Sequence, residues 1–298
     1  MKKNINLFAW LAYATVAVFW GTTFLAIRIG VETFPPLLLA GFRHSIGGIL
    51  ICAYFLLKGY KLPASKDLKV FAINGFLMLA LGNGLVTWSE QYVSSGLAAL
   101  ICSLTPVWII AVNAIGGKKE KINLTIVAGI LLCLFGQFLI FKDNLKDFSD
   151  PNYTAGIVFI LVANIAWAVG TIYSKNQKTG TNPVFGAGLQ MIFGGIILDL
   201  VGTAKGEWSY FHPSSEAIWA LVYLIVFGSI IAYGAYMYVL KQLPATIIST
   251  YAYINTVVAV FLGWFWLDEP LNGLIWTAVL LTIVGVYLVN RSFNNSKN

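Results

Sequence analysis

The chain divides into two halves of similar pattern, each with five apolar runs long enough to cross a membrane. An odd number of crossings per half turns the second copy over relative to the first. About 20 residues of helix span roughly 30 Å of hydrocarbon. Runs of that length are read at about 8–29, 36–57, 69–88, 94–115, 122–141, 153–174, 184–203, 217–239, 245–267 and 271–290. The expected fold is an all-α polytopic membrane protein of ten transmembrane helices in two inverted five-helix repeats, residues 1–147 (helices 1–5) and 148–298 (helices 6–10).

The internal similarity is visible in the residues. Glu120-Lys-Ile-Asn-Leu leads on to Gly136 and Leu139, and Glu269-Pro-Leu-Asn-Gly leads on to Gly285 and Leu288. Trp20-Gly21 followed by Arg28 matches Trp167-Ala168 followed by Lys175, and Gly84 with Trp88 matches Gly234 with Tyr238. Inverted repeats of this kind suit a secondary transporter, because two antiparallel copies can rock about a site near the midplane and open it to each side in turn.

Composition agrees with membrane residence. Of the 298 residues, 58% are hydrophobic and only 10% charged, and the mean hydropathy is +0.78. The net charge of +7 would suggest a nucleic-acid partner if its placement did not argue otherwise. With the amino terminus inside, fourteen Lys and Arg residues fall at inner helix ends, four (Arg28, Lys142, Lys146, Lys205) at outer ends, and Arg43 within a helix. That bias places both termini in the cytoplasm of a cell whose inner membrane holds the chain. Lys2 and Lys3 precede the first run as in a signal peptide, but the run is too long and lacks a small-residue cleavage pattern, so it reads as a retained helix. Cys52, Cys102 and Cys133 all fall inside predicted helices without metal-ligand spacing and read as small packing residues. The longest loops, about 142–152 and 204–216, leave no room for an extramembrane enzyme.

Trp20-Gly21-Thr22-Thr23-Phe24, Arg43 early in helix 2, Gly96-Leu97-Ala98-Ala99 leading to Thr105-Pro106, and a Glu before the last helix of each half resemble the EamA-type permeases of the drug/metabolite transporter superfamily. The resemblance covers nearly the whole chain in two copies. It implies ten helices around a central cavity, and commonly efflux of amino acids, metabolites or toxic analogues across the bacterial inner membrane. The second half departs from the pattern: Asn255-Thr256 stands where the first has Thr105-Pro106, and Gln190 or Met191 stands near the place of Arg43. The cavity is therefore expected to be asymmetric.

Polar groups in hydrocarbon are costly, so each calls for a partner or a wet cavity. In helix 3, Asn83, Thr87, Glu90 and Gln91 share one face beside Trp88; in helix 6, Asn164, Trp167 and Thr171 do the same; in helix 1, Trp20, Thr23 and Phe24. Helix 8 adds Ser229, Tyr233 and Tyr236, and helix 9 adds Ser249, Tyr253 and Thr256, with Tyr251 and Asn255 on a neighbouring face. The candidate substrate-binding set is Trp20, Thr23, Arg43, Asn83, Thr87, Trp88, Glu90, Asn164, Trp167, Tyr233, Tyr236, Tyr253 and Asn255. An aromatic, amide-rich cavity with little fixed charge suits zwitterionic or neutral, partly apolar solutes. The same aromatics read equally as interface belts, and the same Asn and Thr groups as hydrogen-bonding joints between helices.

Arg43 and Glu90, of opposite charge at similar depth, form either an outer gate or carboxylate site, or a structural ion pair. His44 reads as an interior histidine. The acids Glu32, Glu90, Asp199, Asp268 and Glu269 gather toward outer helix ends, which leaves facilitated diffusion open beside proton coupling. Asp268-Glu269 reads as a structural turn with Pro270 starting helix 10. Gly47-Gly48 and Gly194-Gly195 should let helices 2 and 7 approach closely, and Pro106 should kink helix 4. With His44 and His212 the only histidines, no intramembrane catalytic pair or metal cluster is visible, so no enzyme and no cofactor is expected. The expected partners are a small-molecule substrate and the lipid bilayer, with a homodimer possible in principle and no nucleic acid. Export is the leading reading; uptake or exchange, and a structural assembly subunit, are the alternatives.

Overall fold

The computed structural model describes residues 7–115, 123–141, 150–267 and 273–295, and all regular elements among them are helical. They are α1 (Leu7–Gly30), α2 (Pro36–Leu57), α3 (Ser65–Ser89), α4 (Ser95–Cys102 with Thr105–Ile115), α5 (Leu124–Phe141), α6 (Pro151–Asn176), α7 (Pro183–Ala204), α8 (Ser215–Gln242), α9 (Ala245–Ser249 with Tyr251–Leu267) and α10 (Gly273–Asn295). Eight of them, α1 to α4 and α6 to α9, are long and apolar enough to cross a membrane; α5 and α10 carry shorter apolar stretches, Leu124–Gly136 and Trp276–Gly285. The turn expected at Asp268-Glu269, and the lysines at 2, 3, 118, 119, 121, 142, 146 and 297, lie outside the described residues.

Helix starts follow local chemistry. Pro36, Pro151 and Pro183 occupy first-turn positions, where a missing N–H costs nothing. Side-chain oxygens of Ser94, Asp150, Asn182 and Ser214 accept first-turn amides of α4, α6, α7 and α8. α2 has no such local cap. Its Leu37 and Leu38 amides donate instead to the Glu207 carboxylate, at 3.3 and 2.9 Å, from a short 3₁₀ turn (Glu207–Tyr210) after α7. Burial raises this carboxyl above the usual glutamate range, and the two amides pull it back. α3 begins at Ser65, ahead of the apolar run read from about 69, because its first turn, with Lys66 and Asp67, is polar and largely exposed.

Two kinds of irregularity occur once in each half. α3 widens to π-helix over Gly75–Asn83, and α8 over Leu224–Tyr233. α4 breaks at Ser103-Leu104 and α9 at Thr250. Pro106 explains the first break, since it cannot donate to the carbonyl of Cys102 four residues earlier. The Thr105 hydroxyl takes that carbonyl at 2.7 Å, and Ser103 Oγ donates to Leu100 O at 2.6 Å. No proline marks the second break. Hydroxyls do the same work there, Ser249 Oγ donating to Thr246 O and Thr250 Oγ1 to Ile247 O, at 2.8 and 2.7 Å.

α2 and α7 pack along one another, with α3 against α7 and α1 against α9; α5 and α10 pair with each other. The α2–α7 contact depends on absent side chains. A Cβ at Gly48 would lie 2.7 Å from Gly188 O, and one at Gly195 would lie 2.5 Å from the Ser45 amide nitrogen. Outward faces are apolar, and Trp219, Trp266 and Trp276, all more than half exposed, gather at the end of the bundle where α1 finishes, as an interfacial belt does.

Replacing Glu207 by Ala strands two buried amides at the start of α2. The expected loss is about 1–3 kcal/mol, the range for an orphaned buried donor, read as a lower unfolding midpoint in detergent; an unchanged midpoint would show that α2 does not depend on this remote cap.

Candidate functional site

A cavity lies at the centre of the bundle, walled by residues of α1, α2, α3, α4, α6, α8 and α9. The space, counted out to its open side, is about 690 Å³. Both kinds of irregularity border it. The π stretches contribute Leu79, Gly82, Asn83, Gly228 and Tyr233, and the broken helices contribute Cys102, Thr105, Tyr251 and Ala252.

Toward the end where α1 begins, the cavity rests on a packed group of rings. Trp20 and Trp167, matched positions of the two halves, meet edge to face at 5.3 Å between centroids. Tyr236 and Tyr251 each lie 5.0 Å from Trp20, and Tyr233 lies 6.3 Å from both tryptophans. Their polar edges are tied down. The Trp20 indole N–H donates to Gly228 O at 3.0 Å, the Tyr236 hydroxyl pairs with Thr171 at 2.7 Å, and Tyr233 donates to Gln190 Oε1 at 2.6 Å. Below them, Tyr13 and Thr250 share a hydrogen bond of 2.7 Å.

The polar part of the wall centres on Arg43, which is 3% exposed. Its Nε donates to Ser229 Oγ at 2.9 Å and its Nη1 to Asn83 Oδ1 at 3.3 Å, while His44 Nε2 lies 2.9 Å from that same oxygen. Nη2 lies against Gly228: a Cβ there would stand 2.7 Å from Nη2 and 2.8 Å from the Thr23 methyl, so only glycine admits the guanidinium. Glu90 is fully buried and acts electrostatically on both Arg43 and Cys102, and its backbone carbonyl accepts from Arg28. The cavity wall thus holds one buried cation, acted on by a buried acid that stands outside the lining, and ring faces in a low-dielectric surround.

Two asparagines join the broken helices to their neighbours. Asn164 Nδ2 donates to Ile101 O at 3.0 Å, and its Oδ1 lies 2.6 Å from Thr105 Oγ1. With the two hydroxyl bonds already described, three consecutive carbonyls at the α4 break receive side-chain donors. In α9, Asn255 donates through its amide to Ala17 O at 2.6 Å and Tyr251 O at 3.2 Å, which fastens α9 to α1.

Of the candidate binding residues, Trp20, Thr23, Arg43, Asn83, Asn164, Trp167, Tyr233 and Asn255 line the cavity. Thr87, Trp88, Glu90, Tyr236 and Tyr253 do not. Thr87 is buried one turn beyond Asn83; Trp88 packs edge to face on Phe159 of α6, with Tyr92 at 5.0 Å; Tyr236 stands behind the tryptophans; Tyr253 faces Cys133 of α5. Residues outside the candidate set also line it, among them His44, Thr105, Tyr251 and Gly228. Thr105 was marked by its proline and His44 by its charge neighbour. Gly228 carries no side chain to signal its place.

The EamA-like transporter family model matches residues 7–142 and again residues 154–291. The chain is 37% identical over 273 residues to a protein of Escherichia coli (strain K12) described as the uncharacterized inner membrane transporter YedA, covering 91% of this chain and 87% of that one. It is 26% identical over 296 residues to the uncharacterized transporter YoaV of Bacillus subtilis (strain 168), covering 96% and 98%. A protein solved by crystallography shares the fold, with a TM-score of 0.72 at 19% identity, over 94% of this chain and 96% of that chain.

Replacing Asn164 by Leu keeps the branched side-chain shape, with somewhat larger volume, but removes the donor to Ile101 O at the break in α4. A destabilisation of about 1–3 kcal/mol is expected in detergent unfolding, with Asn164→Asp intermediate or worse because it adds charge without the donor. Parental stability in the Leu variant would mean that the break is held by hydroxyls alone.

Proposed function

We propose that this chain, which belongs to the EamA-like transporter family, exports amino acids or closely related carboxylate-bearing metabolites through the central cavity by alternating access. The family and the transporter-named relatives make it a transporter and not an enzyme, and its apolar helices make it a multi-pass membrane protein. The observation that carries the substrate reading is Arg43. A buried guanidinium in the cavity wall, held by Ser229 and Asn83 beside Trp20, offers a carboxylate a charge-assisted, forked partner. The ring faces of Trp20, Trp167 and Tyr251 offer an ammonium cation–π attraction and an apolar side chain contact area. The buried acid Glu90 adds favourable field for that ammonium.

In this reading the chain crosses the inner membrane ten times, α5 and α10 included, in two inverted repeats. The doubled family match, the paired π stretches and the paired breaks support it. The excess of Lys and Arg at the end where α1 begins supports a cytoplasmic position for that end.

The test is counterflow in proteoliposomes with labelled L-leucine, L-phenylalanine and phenethylamine, which lacks the carboxylate. The two amino acids are expected to exchange and the amine not. Arg43→Lys is expected to lower exchange about tenfold or more, because a lysine cannot reproduce the fork, while membrane abundance stays normal. Equal transport of the amine, or full activity in Arg43→Lys, overturns the carboxylate reading. Direction is read by growth: cells producing the chain should resist toxic leucine analogues, and raised sensitivity would mean inward transport.

A further inference from the structure

His44 follows Arg43 on α2, is 1% exposed, and stands in the wall of the central cavity. Its two ring nitrogens are in different situations. Nε2 lies 2.9 Å from Asn83 Oδ1, the atom that also accepts from Arg43 Nη1 at 3.3 Å. A guanidinium can only donate, which fixes that amide atom as the oxygen, and an amide oxygen can only accept. Nε2 therefore carries a proton. Nδ1 has no partner among the described residues.

A second proton, on Nδ1, would set an imidazolium beside the Arg43 guanidinium, with both cations donating to one oxygen in a low-dielectric wall. Like charges held that close repel strongly. Nδ1 is thus a bare lone pair. Nearby polar groups of the same wall are occupied: Arg43 Nε by Ser229, the Trp20 indole N–H by Gly228 O, and the Asn164 amide by Ile101 O. A buried acceptor left without a donor costs about 1–3 kcal/mol, and a solute that brings an N–H to this nitrogen recovers it.

We infer that His44 Nδ1 accepts an N–H from the solute's α-ammonium, which makes His44 the residue that selects α-amino acids among carboxylates. The inference rests on the carboxylate reading of Arg43 above. Arg43 and His44 converge on a single amide oxygen, so a solute whose carboxylate engages Arg43 brings an ammonium on the adjacent carbon to His44. Ring faces attract any cation, whether or not it carries hydrogen. A lone pair requires an N–H, and that difference separates the His44 contribution from the rings.

The experiment is counterflow in proteoliposomes with L-leucine and with N,N,N-trimethyl-L-leucine, which keeps both charges but has no N–H. The parent chain is expected to half-saturate at about tenfold lower L-leucine, as for one charge-assisted hydrogen bond. The amide nitrogen of His44→Gln can replace Nε2 on Asn83 but leaves the place of Nδ1 without an acceptor. Its preference for L-leucine is expected to fall about tenfold. The amide oxygen of His44→Asn falls near the place of Nδ1 but releases Asn83, so that variant should keep the preference while exchanging both solutes more slowly. Equal losses for the two solutes in His44→Gln, or a preference lost in His44→Asn and kept in His44→Gln, would show that His44 only holds Asn83, and overturn the inference. Should neither variant reach the membrane, equal half-saturating concentrations in the parent still overturn it, leaving the Arg43 reading intact because both solutes carry the carboxylate. A parent that exchanges neither solute overturns the Arg43 reading and the His44 inference together.

Discussion

Inside a bilayer there is no water to receive a backbone carbonyl, so a helix can be interrupted only where protein groups take over the bonds it loses. Everything distinctive about this structure follows from where that is done. The breaks in α4 and α9 sit beside the central cavity, and at each the freed carbonyls are taken by nearby hydroxyls, with Asn164 added at the first. The asparagines and threonines that line the cavity therefore serve two ends at once. They keep irregular backbone in place, and they leave the solute a wall of polar groups already held in position.

The two halves share a plan but not a chemistry. Trp20 and Trp167 meet face to edge from equivalent helices, and π stretches occupy equivalent parts of α3 and α8. The charge belongs to one half alone. Arg43 reaches across to Ser229 of α8 and passes over Gly228, while Gln190, near its counterpart position, is bonded to Tyr233. In the proposed reading, an asymmetric site between similar halves is what tells a carboxylate from an ammonium.

Contacts at the two ends of the bundle differ in the same spirit. Where α1 finishes, the Glu207 carboxylate caps α2 across the fold, and Arg28 bonds the Glu90 carbonyl. Where α1 begins, two lysines tie α6 to α8 through backbone carbonyls. Tight glycine contacts hold α2, which carries Arg43, closely against α7.

Much of the helical plan was legible without the fold. Run length and hydropathy mark the helices to within a few residues, and Pro106 marks the first break, because these depend on local chemistry and on the thickness of hydrocarbon. The wall of the cavity was only partly legible. In a soluble helix, polarity separates the inside face from the outside, but here lipid and protein interior are both apolar, so periodicity could not tell that Tyr251 lines the cavity while Tyr236 stands behind it and Tyr253 turns to α5. The π stretches turn the remaining residues of α3 and α8 off the helical count, and the break at Thr250 has no proline to announce it. The sequence by itself determined an all-helical membrane chain rich in buried polar residues; which of those residues share one cavity was decided by tertiary packing, because that depends on how helices far apart in sequence fit against glycines such as Gly228.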